Sequence, residues 1–268
     1  MKERFAEIST SAGTMKTFIA HPEQDGPFPP VIFYMDFWGV REELFDIARR
    51  LAVVGYYCLV PDLYYRQGTV HNEILDEQGK MISLNRVDAA TRERVLAPTA
   101  RFKDAEAMED TRAILEYLKN DVSARPGAKG CVGYCIGGRL AMRAAGTFPE
   151  HFKASASLHG TDLVTDDEDS VHKLASQIQG EFYCGFAEND RYASPSTVAE
   201  IASAMKRSAA KYHDEIHPGT EHGYALPNRN IHHKQATLRD WELILATFHR
   251  QISPRQAQLP SLADRNAY

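Results

Sequence analysis

The chain has 268 residues, 43% of them hydrophobic and 25% charged, and carries a formal net charge of -5. That balance is ordinarily globular, supplies enough apolar material for a sizeable core, and gives no case for nucleic acid or an anionic membrane surface as partner. No run approaches the roughly 18 apolar residues of a membrane-spanning helix, and Met1-Lys2-Glu3-Arg4-Phe5 leads into no signal-peptide core.

In chain order, Phe5 to Ser9 and Met15 to Ala20 read as two short strands joined by Thr10-Ser11-Ala12-Gly13, an antiparallel edge hairpin. After a Pro/Gly-rich loop, Val31-Ile32-Phe33-Tyr34 is a continuous apolar strand of the kind buried on both faces. Arg41 to Val54 has Leu44, Phe45, Ala48, Leu51 and Ala52 at helical spacing and is closed by Gly55. Tyr56 to Val60 is the next strand, so strand, helix, strand repeats in the manner of a parallel sheet. Residues from Tyr64 to about Arg101 are mixed and polar, and are expected as loops with a short helix, a cap-like insertion over one end of the sheet. Asp104 to Asn120 is a clear helix. Further strands are expected at 129–132, Ala154 to Leu158, Glu181 to Gly185 and Tyr212 to Ile216. A helix starts at Ser194-Pro195, in cap and first-position order. The closing helix, Ile231 to Arg250, is expected to bury Leu238, Trp241, Ile244, Leu245 and Phe248. No repeat or composition break marks a second domain, so 1–253 reads as one domain, followed by a polar tail over 254–268 that is extended or disordered.

Four cysteines do not make a disulfide framework in a chain of this length. Cys58, Cys131 and Cys184 lie in apolar strand-like runs, where cysteine acts as a small hydrophobe. A reducing, cytoplasmic location is the simple reading. Cys135 differs, because it occupies the corner of Gly133-Tyr134-Cys135-Ile136-Gly137-Gly138 between the 129–132 strand and the helix Arg139 to Phe148. A strand that becomes a helix within one residue strains the corner residue, and flanking glycines let the backbone pass closely. This is the nucleophile-elbow pattern with cysteine as nucleophile, and the helix N-terminus beneath it favours a thiolate. A glycine-rich turn around a structural cysteine is the alternative.

Asp190 and His222 stand at two later strand ends, giving the order nucleophile, acid, histidine of an α/β-hydrolase fold. The expected architecture is therefore a mostly parallel central sheet flanked by helices on both faces, with the antiparallel hairpin at its edge. In the triad the thiolate attacks a carbonyl, His222 carries the proton, and Asp190 fixes the imidazole tautomer. Taken alone, Asp190 reads equally as a loop acid. The fold implies an oxyanion hole from the backbone N–H groups of Ile136 and Phe37. His159, at another strand end, is a candidate to touch substrate or a plain loop histidine, and Trp38 and Tyr64 are candidates for the pocket or for core packing. His213, His217 and His222 lie close in sequence without ligand spacing, so no metal is expected. No dinucleotide or Walker-type glycine loop appears, and no cofactor is implied.

The chain resembles the dienelactone hydrolase (carboxymethylenebutenolidase) family over most of residues 15 to 250. The carrying motifs are the cysteine elbow, Val60-Pro61-Asp62-Leu63-Tyr64 and Ala187-Glu188-Asn189-Asp190, with Glu221-His222-Gly223-Tyr224 less specific. The resemblance implies opening of an ester or enol-lactone through an acyl-cysteine intermediate. It also implies a thiol-activating or substrate-contacting carboxylate after the early strand, where this chain has Asp36 in place of the family's glutamate. The family follows its histidine with Ser-Phe-Ala-Arg, whose arginine grips the substrate carboxylate; here the run is Gly223-Tyr224-Ala225-Leu226. Arg66 and Arg229 are the nearby cations, each expected as a solvated surface arginine. Neutral esters and lactones join dienelactone as expected substrates. The alternatives are a thiol hydrolase or acyl transferase on another activated acyl group, and a non-catalytic redox or ligand-binding module built on Cys135. A monomer or small homo-oligomer acting on a small molecule is expected.

Overall fold

A computed structural model describes residues 1–68, 70 and 73–254. Its centre is an eight-stranded sheet: β1 (Lys2–Thr10), β2 (Gly13–His21), β3 (Pro30–Tyr34), β4 (Tyr57–Pro61), β5 (Lys129–Tyr134), β6 (Phe152–Leu158), β7 (Glu181–Asn189) and β8 (Lys211–Glu221). The spatial order is β1-β2-β4-β3-β5-β6-β7-β8. The first two strands form the expected hairpin and join β4 antiparallel; every other pair is parallel. All strand-ends from β3 onward therefore open at one edge, where residues distant in sequence converge.

Helices α1 (Glu42–Val53), α2 (Ala89–Ala100), α3 (Asp104–Asn120), α4 (Ile136–Thr147), α5 (Pro195–Met205) and α6 (Lys234–Ile252) complete the fold. α4 and α6 both pack on β5 and β6, from opposite faces, so the central strands are covered on both sides. This is why β3, β4 and β5 are buried along their whole lengths and read as unbroken apolar runs. The last strand runs past the expected Ile216 to Glu221, which sets His222 immediately beyond its end.

One expectation about the core fails. Ile244 and Phe248 are buried, but Leu238 and Leu245 are 60% and 37% exposed, and Trp241 is only partly covered. The buried stripe of α6 runs through Ala236, Thr237, Asp240, Ile244, Thr247, Phe248 and Ile252. Three of those seven are polar, so hydrophobicity alone marked the neighbouring ridge; that ridge lines a groove against Leu51 of α1 and Val54 just beyond it instead. The expected tail begins at Pro254, which packs on Gly55, and otherwise lies outside the described residues.

The segment expected as a cap-like insertion contains two short 3-10 turns, Tyr65–Gln67 and Leu84–Arg86, before α2. It is stitched to the loop after β8. Met81 donates its N–H to the Asn228 carbonyl at 2.7 Å and accepts from the Asn230 N–H at 3.0 Å, and Ser83 N–H donates to Asn230 Oδ1 at 3.1 Å. Arg86 adds an ion pair to Glu221 at 2.9 Å.

Candidate active site

Cys135 follows β5 directly and caps α4, with φ 58° and ψ -118°. A β-carbon on Gly133 would collide with the Gly137 backbone, and one on Gly137 with the carbonyls of Tyr34 and Met35. The glycines at these positions are thus demanded by close packing of the elbow against itself and against β3. The Ile136 N–H heads α4, and neither it nor the Phe37 N–H donates to a protein acceptor among the described residues.

His222 Nδ1–H donates to Asp190 Oδ2 at 2.7 Å. The other oxygen of Asp190 accepts the Tyr192 N–H at 2.9 Å, so both oxygens are held. The remaining ring nitrogen of His222, Nε2, is buried and makes no hydrogen bond of ordinary geometry; its neighbour is the Cys135 sulfur. Burial works against a charge on this imidazole, but Cys135 and Asp190 outweigh it and raise His222 from 6.5 to about 10. Two rings contact it edge-to-face, His159 at 4.9 Å and Tyr192 at 4.8 Å. His159 is fully buried, with neither ring nitrogen hydrogen-bonded. Burial, and then the positive charges of His222 and Arg229, push it well below its ordinary value, so it is a neutral wall behind His222.

Cys135, Ile136, Phe37 and His222 share a cavity of about 270 Å³. Ser83, Leu84, Asn85, Leu96 and Thr99 of the insertion close its far side, and Arg139, Asp162, Arg191, Tyr192 and Arg229 complete it.

The other expected residues fall elsewhere. Asp36 does not line the cavity: Arg41 binds both of its oxygens, at 2.7 and 3.1 Å, and the same guanidinium holds Glu43 at 2.6 Å, all three side chains buried. Trp38 and Tyr64 are wall supports. The Tyr64 hydroxyl donates to the Phe37 carbonyl at 3.1 Å, and Trp38 leans on Phe37 and lies under Arg229. Arg66 is bound bidentately to Asp110 at 2.6 and 2.9 Å, away from the cavity. His217, which the sequence placed beside His222, is tied to Asp240 at 2.7 Å. Among the described residues no cluster of three His, Cys, Asp or Glu side chains is placed to hold a metal ion.

Arg229 reverses its expectation. It is 5% exposed rather than solvated. Its guanidinium lies 5.2 Å from the Trp38 ring centroid, its Nε is buried without a partner, and no carboxylate pairs with it among the described residues. Burial pulls it below the ordinary arginine value, yet an arginine keeps its charge at neutral pH. A buried, unpaired cation on a cavity wall is costly unless something anionic visits it. Its position seven residues after His222, on the same loop, was the available signal. Tyr192, two residues after Asp190, went unremarked because nothing in the sequence separates a cavity tyrosine from a surface one.

Comparisons with known proteins give the family. The model of the dienelactone hydrolase family matches residues 15–252. A protein of Methylorubrum extorquens named "Putative carboxymethylenebutenolidase" is 24% identical, over 91% of this chain and 79% of its own length; an Escherichia coli protein of the same name is 24% identical, over 91% and 85%. Among solved structures, a Klebsiella pneumoniae protein named "Putative Dienelactone Hydrolase" superposes with a TM-score of 0.78 at 22% identity, covering 93% of this chain and 98% of its own. With the parallel sheet, the cysteine elbow and a family match spanning nearly the whole described chain, this protein belongs to the dienelactone hydrolase family.

Proposed function

We propose that the protein is a cysteine-dependent hydrolase of esters and enol-lactones that prefers substrates bearing a carboxylate. Family membership supports hydrolysis of ester or lactone bonds. The observation that carries the cysteine mechanism is the 2.7 Å Asp190–His222 bond, with His222 Nε2 left free against Cys135 at the strained elbow. The raised proton affinity of His222 supports an imidazolium that can give its proton to the leaving group.

In the first half-reaction the thiolate attacks the carbonyl carbon, and the C=O electron pair moves onto oxygen. The Ile136 and Phe37 N–H groups receive that oxyanion. As it collapses, the C–O bond to the leaving group breaks and the leaving oxygen takes the proton from His222 Nε2, giving acyl-Cys135 and a neutral imidazole. Water then yields a proton to Nε2 and attacks the thioester. Collapse of the second oxyanion expels the thiolate, frees the acid and restores the ion pair. Asp190 holds the tautomer throughout. The buried charge of Arg229 supports a carboxylate-bearing substrate, a role for which the sequence after His222 offers no arginine at the family's position. All four cysteines are free and buried, which suits a reducing cytoplasm.

The test is hydrolysis of cis- and trans-dienelactone beside neutral aryl esters by wild type and Cys135→Ala. Turnover lost in the variant and favouring dienelactone is expected. Turnover that survives in Cys135→Ala would refute the cysteine mechanism, and a preference for neutral esters would refute the substrate class.

A further inference from the structure

His222 must hand its proton to the leaving oxygen, so the leaving group has to lie beside His222 on a side that a substrate can reach. His159 packs edge-to-face on this imidazole but is buried and does not line the cavity. Tyr192 packs on the imidazole too and does line the cavity, with its ring 4.8 Å from the imidazole at 61°. Tyr192 is also fixed relative to the triad, because its N–H is bonded to the Asp190 carboxylate. Arg191 lies over the tyrosine ring at 4.9 Å, donates to its hydroxyl at 2.9 Å, and has no carboxylate partner among the described residues. An aromatic ring and a cation with no carboxylate partner among the described residues thus line the cavity beside His222.

Resting on the reading above, we propose that Tyr192, held by Arg191, is the specificity-determining wall for the leaving group and selects planar, conjugated enol or aryl oxygens over saturated ones. A flat leaving group gains ring contact with Tyr192. The negative charge that develops on its oxygen before protonation meets the field of Arg191, and a conjugated group spreads that charge toward it. A saturated alkoxy group offers neither contact.

Phenyl acetate and trifluoroethyl acetate both have activated leaving groups, but only the first is planar. Both would be assayed with wild type, Cys135→Ala, Tyr192→Ala, Tyr192→Leu, Tyr192→Phe and Arg191→Gln, across a pH range. Tyr192→Ala and Tyr192→Leu are expected to lower kcat/KM for phenyl acetate by about tenfold, the scale of one aromatic contact, with a much smaller fall for trifluoroethyl acetate. Tyr192→Phe should keep most of the preference, Arg191→Gln should lose part of it, and the pH limbs of kcat/KM should not move. Equal losses on both esters, or a shifted limb, would mean that Tyr192 only steadies His222, and would overturn the proposal. No Cys135-dependent turnover in the wild type would overturn both this inference and the function it rests on, whereas normal turnover with an unchanged preference in the variants would overturn this inference alone.

Discussion

Replacing Arg229 by methionine separates substrate recognition from stability more cleanly than any other single change. The guanidinium is 5% exposed and no carboxylate among the described residues forms an ion pair with it, although Asp36, Cys135 and Glu43 act on it at longer range. At an effective dielectric constant of about 20, a carboxylate ~4 Å away would interact by about 4 kcal/mol; the net gain of a charged hydrogen bond, after desolvation, is about 1.5–3 kcal/mol. At about 1.4 kcal/mol per tenfold, Arg229→Met should lower kcat/KM for dienelactone by roughly 10- to 150-fold, mostly through KM. A neutral aryl ester should lose no more than about threefold, since it meets only the changed wall. Stability should change little. The variant forfeits the contact with Trp38, about 1 kcal/mol, but it also removes a charge that burial disfavours. Steady-state kinetics on both substrates with urea unfolding of both proteins would decide it. Equal kinetic losses on the two substrates, or a stability loss of several kcal/mol, would mean that Arg229 is a structural cation and would refute the reasoning.

Other consequences are as specific. His222 is raised to about 10 in the fold against 6.5 outside it, so its contribution to stability is full below about 6.5 and is lost as pH rises through about 10. The melting temperature of wild type should therefore fall across that window more steeply than that of His222→Gln; parallel curves would contradict a charged His222 in the folded protein. Asp36→Asn breaks a buried ion pair with Arg41 and should cost about 3–5 kcal/mol by denaturant unfolding, while the folded fraction keeps its kcat; a kcat collapse at unchanged stability would restore Asp36 as thiol activator. Gly137→Ala drives a methyl group into the Tyr34 and Met35 carbonyls and should cost at least about 1–3 kcal/mol. Brief treatment with iodoacetamide should label Cys135 alone by peptide mapping. Cys58, Cys131 and Cys184 are wholly buried, and burial pushes Cys58 well above its ordinary value and Cys131 up to about 12.

The parallel architecture was readable because buried parallel strands are continuous apolar runs, and the elbow because its steric demands leave a spaced-glycine signature around Cys135. Asp190 and His222 were found through their order and their places after strands. Side-chain direction was what the sequence did not carry. Asp36 looked like a carboxylate near the nucleophile, but the partner that claims it, Arg41, is distinguished by burial rather than by type. Arg229 looked like a solvated loop cation for the same reason, since nothing local reports that Trp38 and the insertion fold over it. In α6 the buried stripe carries Thr237, Asp240 and Thr247, so amphipathic periodicity pointed one ridge away from the sheet.

The backbone bonds from Met81 to Asn228 and Asn230 fasten the insertion to one short loop that begins with His222 and ends beyond Arg229. Proton transfer and the cation facing the substrate therefore ride on a single mechanical piece. A change in the insertion that enlarges the cavity would move both together, so a relative evolving toward a new substrate through that segment would alter its turnover rate in the same step. Arg191 and Tyr192 follow β7 instead and reach His222 by another route, through the Asp190 carboxylate and the ring contact.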